Sequence, residues 1–213
     1  MARGDVVFSP EGERIELVDI GHEVLLDNDT VRVWEIRLAP GEVQPWHLHH
    51  NPYLVLTLRA SSGRMDWLDG SPPRFLDTGV GGAVYRQMTP VHRLTNIGDA
   101  PYRNRLVEFK DLGEKRAHPV DIGAGARGVP GERPPGGPEP DGRERVLDHP
   151  HIGVWDFVVP AAGSVSLKSV PSGPRPAPRP GSASSSSARS TWAVDGLPRA
   201  RFNDSPRAAS SAC

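Results

Sequence analysis

From residue 24 to residue 112 the chain is a succession of short apolar or alternating runs, each closed by a turn signal. Residues 24–38 hold two such runs, VLLD and VRVWEIRL, separated by Asn28-Asp29 and ended by Ala39-Pro40-Gly41. Further runs follow at 53–58, 64–68, 82–88, 91–96 and 102–109, with Ser61-Ser62-Gly63, Asp69-Gly70-Ser71-Pro72-Pro73 and residues 96–101 as turns. Short strands at intervals of roughly 8–12 residues predict an all-β sandwich or barrel. No convincing amphipathic helix interrupts them. In the run 31–38, Val31, Val33 and Glu35 share one face, and Arg32, Trp34 and Ile36 share the other. Apolar residues on both faces predict a strand partly covered on each side.

The remainder of the 213 residues is different. Residues 113–142 and 164–213 are rich in Pro, Gly, Ser, Ala and Arg and poor in apolar runs. They bury too little apolar surface to offset the entropy of ordering, so 113–142 reads as a linker and 164–213 as a disordered tail. Between them, residues 146–163 (VLDHPHIGVWDFVVPAAG) repeat the pattern of 25–41 (LLDNDTVRVWEIRLAPG). Leu26-Asp27 corresponds to Leu147-Asp148, and Val33-Trp34-Glu35 to Val154-Trp155-Asp156. Tryptophan is scarce enough for duplication to be the better explanation. The second copy then runs out, with no histidine after residue 151. Two origins fit: a native low-complexity tail, or a two-domain ancestor truncated or read out of frame after about residue 163. The resulting division is 1–21, an N-terminal segment; 22–112, the barrel; 113–142, the linker; 143–163, a partial repeat; and 164–213, the tail.

Formal net charge is -1, with acidic and basic residues interspersed, which gives no footing for nucleic acid or an anionic membrane. A lone cysteine, Cys213, excludes an intrachain disulfide framework and a cysteine zinc finger. The N-terminal stretch lacks the apolar run of a signal peptide, and no stretch approaches the roughly 20 apolar residues of a membrane span. A cytoplasmic protein is the expectation.

Three histidines carry the chemistry. His47 and His49 are two apart, so on a strand both rings face one way. Two imidazoles so placed can reach one ion at about 2.0–2.1 Å, and His92, on a later strand, can supply a third. The spacing Gly41-x5-His47-x-His49 resembles the start of the first cupin motif, G-x5-H-x-H-x3/4-E-x6-G. His92-x3-Asn96 resembles the end of the second, G-x5-P-x-G-x2-H-x3-N. The likeness covers roughly residues 22–112. It departs at two points. Pro90 stands two residues before His92 and the internal glycine is missing, and the glutamate of the first motif is replaced by Tyr53 or Leu54.

The resemblance implies a double-stranded β-helix, that is, a jelly-roll barrel, with His47, His49 and His92 as ligands of one divalent metal ion. Fe(II) is favoured, with Zn, Mn or Ni as alternatives. Three-histidine cupins include dioxygenases, so the expected function is a metal-dependent enzyme, a dioxygenase or an isomerase, acting on a small organic metabolite. Tyr53, on the same face as His47, is the catalytic candidate; a packed core aromatic is the competing role. The rival expectations are a non-catalytic small-molecule-binding or accessory cupin, and a damaged two-barrel protein without activity. A homodimer through exposed sheet edges is also expected. Gln44, Arg86 and Gln87 are candidate pocket residues or solvated strand residues. Glu108 is a candidate replacement carboxylate ligand. Trp34 and Trp46 read as core or rim aromatics, His50 as turned away from the site, and His22, His118, His149 and His151 as structural or surface residues.

Overall fold

A computed structural model describes residues 3–129 and 144–156. An antiparallel hairpin of β1 (Val6–Phe8) and β2 (Arg14–Glu16) leads in. The body follows as β3 (Glu23–Asp27), β4 (Val31–Leu38), β5 (Val43–His47), β6 (Tyr53–Arg59), β7 (Ser62–Trp67), β8 (Arg74–Asp77), β9 (Ala83–Arg86), β10 (His92–Asn96) and β11 (Tyr102–Phe109). A single 3-10 turn, Lys110–Leu112, then precedes β12 (Ala126–Gly128), β13 (Glu144–Asp148) and β14 (Gly153–Asp156).

Two sheets face each other, a four-stranded one in the order β5-β10-β7-β8 and a six-stranded one in the order β12-β9-β6-β11-β4-β3. From β4 to β11 the chain crosses between the sheets at every connection except the β7–β8 hairpin, and the sheet pairings are antiparallel. This is the jelly roll, a double-stranded β-helix. Pro45 lies in β5, an edge strand of its sheet, where a missing backbone donor costs least.

The six-stranded sheet is buried on both faces. Its inner face contributes Trp34, Ile36, Leu38, Tyr53, Tyr102 and Leu106, which pack with Leu94 of the opposite sheet and with Ile20. Its outer face contributes Val31, Val33, Leu54, Tyr85, Val107 and Phe109. That face is closed by Leu112 and Ile122 from the chain after β11, and by Val146, Leu147 and Ile152 from the β13–β14 hairpin. Glu35 shares the outer face with the valines but answers to Arg105, directly opposite it on β11, and to Arg103, at 2.5 and 2.6 Å.

Three expectations change. His49 is not on a strand: β5 ends at His47, and the loop that follows carries His49. The stretch expected to be a linker is built into the fold as far as its described part reaches, residue 129, because Ile122 enters the outer core and β12 pairs with β9. Residues 144–156 do not stand apart from the barrel, since their apolar side chains complete that same core. The tail 164–213, with Cys213, lies outside the described residues.

Candidate metal centre

Backbone pairing and one loop bring the three histidines together. His92, the first residue of β10, is directly opposite His47, the last of β5, and also pairs with Trp67 of β7. The loop after β5 returns His49 to the same side, with His47 and His49 buried and Leu48 and His50 half-buried. Ring centroids are 4.3 Å apart for His47 and His92, 5.3 Å for His47 and His49, and 5.2 Å for His49 and His92. One ring nitrogen from each lies within 4.8 Å of the others, and among the described residues no other group of metal-ligating side chains meets this way.

Local hydrogen bonds aim two of the rings. His47 Nδ1 is 2.7 Å from the carbonyl of Pro45, and His92 Nδ1 is 2.8 Å from the carbonyl of Pro90. A carbonyl only accepts, so each Nδ1 carries the proton and each Nε2 keeps its lone pair free. His49 Nδ1 is buried and has no hydrogen-bond partner. Burial, and then the neighbouring imidazoles, lower His47 to about 3 and His49 well below its ordinary value. Burial also lowers His92, against the opposing pull of the Pro90 carbonyl. Three neutral imidazoles therefore converge at neutral pH, the state in which histidine ligates a metal. The donors fit a divalent ion. Imidazole suits Zn, Cu, Fe and Ni.

Around them the sequence candidates separate. Tyr53 is buried and stacks on His49 at 4.0 Å between centroids, with 15° between the planes. Burial raises its hydroxyl pKa, and the neighbouring Thr89 partly offsets this. Thr89 Oγ1 is also 3.4 Å from His92 Nδ1, so one threonine stands between the tyrosine and a histidine. Glu108 is not a member of the histidine cluster. It is buried and accepts hydrogen bonds from Trp34 Nε1 at 2.8 Å and Asn51 Nδ2 at 3.3 Å, and burial raises its pKa. Gln44 donates to the carbonyl of Asp19 and Gln87 to that of Val120, so both bind neighbouring segments together. Trp46 is half-buried under the Arg93 guanidinium at 4.9 Å. His22 and His118 are exposed, while His149 packs edge-on to Tyr85, 4.9 Å between centroids, and stacks with His151.

Two further residues matter. Asn51 is fully buried, donates to Glu108 and Glu114, and accepts from the Glu114 backbone N–H at 2.8 Å. It thereby pins the loop that presents His49. A cleft of about 590 Å³ opens on His49 and is lined by His50, Met88, Thr89, Glu114 and Arg116 among others. The polar run His-His-Asn before Pro52 hints at Asn51, but nothing local marks Thr89.

No protein-family model matches the chain, and no curated protein matches it by sequence. Among solved structures, a cupin domain from Bordetella pertussis Tohama I is 21% identical over 52% of this chain and 98% of its own, with a TM-score of 0.39. An RmlC-like cupin family protein from Methanocaldococcus jannaschii is 18% identical over 51% of this chain and 92% of its own, at 0.34. A DMSP lyase from Ruegeria pomeroyi DSS-3 is 23% identical over 40% of this chain and 41% of its own, at 0.31. Likeness at this level concerns fold alone, and here the fold follows from the strand order. The strand order makes this a double-stranded β-helix in which three buried histidines converge, and its two motif fragments resemble those of cupins.

Proposed function

We propose that the protein is a metal-dependent enzyme that acts on a small organic molecule, with His47, His49 and His92 holding one divalent ion. The observation that carries this reading is the set of three buried, neutral ring nitrogens within 4.8 Å of one another. Bound there, the ion supplies a Lewis acid with open coordination positions and, as Fe(II), redox chemistry toward dioxygen, the version we favour. The residues of the chain do the remaining work. Three neutral ligands leave the charge of a dication uncompensated, which favours a negatively charged partner inside the barrel. Tyr53, protonated at neutral pH, offers a hydroxyl donor beside His49. The cleft over His49 gives a route of entry.

A second reading, a non-catalytic binding protein, draws on one feature: where the first motif has its glutamate, this chain has Tyr53. Metal content separates the two. Protein purified anaerobically is expected to carry about one metal ion per chain by elemental analysis, and the triple variant H47A/H49A/H92A is expected to fall to background. Iron at that ratio leads to oxygen-consumption assays. Another metal leads to Lewis-acid reactions. No metal above the variant's background, even after reconstitution, removes the enzyme reading.

A further inference from the structure

Three arginines meet where the two sheets part. Arg74 begins β8, the edge of the four-stranded sheet; Arg86 ends β9; and Arg127 lies in β12, the edge of the six-stranded sheet. Residues directly paired across antiparallel strands share a face of the sheet. Arg86 is paired with Tyr53, whose ring stacks on His49. Arg127 is paired with Val84, which shares the face of Arg86 two residues on. Arg74 is paired with Met65, which is paired in turn with Leu94 of the inner core. All three therefore project to the inner side of the sandwich. They line one cavity of about 360 Å³ together with Thr57, Thr78 and Val84. Arg86 is half-buried, and Arg74 and Arg127 are exposed at the rim.

The cavity holds positive charge without an answer to it. Among the described residues no carboxylate lies within ion-pair distance of any of the three. The acidic residue in the lining, Asp77, is exposed and pairs with none of them. Burial lowers Arg86 first, and the charges of Arg74 and Arg127 add to that. Elsewhere the chain pairs its buried charge carefully, as Glu35 with Arg103 and Arg105 shows. Guanidinium forks match the oxygens of a carboxylate or phosphate in pairs. The volume suits a small ligand.

We propose that the Arg74–Arg86–Arg127 cavity binds an oxyanion, the carboxylate or phosphate end of a small organic ligand. Arg86 grips it from below, and Arg74 and Arg127 close on it from the two sheet edges. Because Arg86 adjoins Tyr53, and Tyr53 adjoins His49, a ligand held here extends toward the histidines. The substrate of the proposed enzyme is then an organic acid or organic phosphate. This extension rests on the metal reading; the anion site itself does not.

The test uses full-length protein in buffer free of phosphate and carboxylate, before and after chelator treatment. Inorganic phosphate and malonate are titrated separately by calorimetry and by thermal melting, against chloride at matched ionic strength. Saturable binding of one or both is expected, with a rise in melting temperature, in both preparations. R86Q and R127Q are each expected to lose about tenfold in affinity, while melting no lower than wild type in anion-free buffer because like-charge repulsion is relieved. R127Q, at the exposed rim, serves if R86Q does not fold. Phosphate alone, malonate alone or both identify the oxyanion preferred. No saturable binding of either anion, or equal binding by the variants, overturns the proposal. Metal content is measured on the same samples. Lost anion binding with the metal retained refutes this site alone, and lost metal with anion binding retained refutes only the metal reading.

Discussion

Pro45 and Pro90 each stand two residues before a histidine, and each turns its carbonyl onto that ring. Orientation at this site is thus a local matter, fixed within three residues, while convergence needs β5 and β10 to pair. Tyr53 completes the wall, and burial keeps its hydroxyl protonated. Tyr53→Phe is expected to keep the stacking and the metal content, and to cost no more than about 1 kcal/mol in urea unfolding. A fall in turnover without a fall in metal content would mark the hydroxyl as catalytic. His47 and His49 could be singled out in the sequence by their spacing, and His92 and Tyr53 by where they fall in the motifs that resemble those of cupins. Asn51 stood out only as part of a polar run and Thr89 not at all, since their partners, Glu108, Glu114 and His92, are brought to them by the fold. Glu108 stood as a candidate replacement carboxylate ligand, yet Trp34 and Asn51 take up its oxygens and it is not a member of the histidine cluster.

Among the elements, the pairing of β4 with β11 is the spine of the larger sheet, and Glu35 fixes it electrostatically. Burial alone would raise Glu35, but hydrogen bonds and charge from Arg105 and Arg103 outweigh it, so the net shift is downward. A carboxylate with a lowered folded pKa adds stability above its unfolded value, about 4.3. That contribution is lost as pH falls through the lower folded value. Urea midpoints followed from pH 7 downward are expected to hold to about pH 5 and then drop, and the part of the drop due to this pair is expected to vanish in Glu35→Gln. At pH 7 that variant is expected to be less stable by about 2 kcal/mol. This lies below the usual cost of breaking a buried pair because both arginines keep some contact with water. The runs that became β4, β6 and β11 were legible because they are long and apolar on one or both faces. β5, β8 and β12 were not: VQPWH contains a proline, and RFLD and ARG are too short and polar to show a period. These three become strands because a neighbour offers an open edge.

At the scale of the molecule, a single sandwich with one covered back replaces the expected sequence of barrel, linker and remnant. The cover sits close. A side chain added at Gly128 would place its Cβ 1.7 Å from the Val146 carbonyl oxygen, so β12 and β13 meet backbone to backbone. Leu147→Ala is expected to destabilise the whole fold by about 2–4 kcal/mol in denaturant unfolding, as a core deletion does. A loosely attached remnant would lose almost nothing, so a change below about 0.5 kcal/mol would show that the cover is dispensable. The covering role of 112–129 and 144–156 was hidden in the sequence because their apolar residues are few and separated by Gly, Pro and charge. Only the outer valines of β4 hinted that something had to lie on them.

The two hairpins that share a sequence pattern also share a pairing. Leu26 faces Val33 and Leu147 faces Val154; Val24 faces Trp34 and Arg145 faces Trp155; each has its irregularity at the same place. Their surroundings have nothing in common, since β3–β4 is continuous with a six-stranded sheet and β13–β14 forms a sheet of its own. A pairing kept in two such settings is dictated by the hairpin's own residues, and the setting decides only which side is hidden from water. Such a unit is portable. Copied elsewhere in a chain it needs no strand beside it to persist, only a greasy surface to settle on, and a barrel with an uncovered back supplies one.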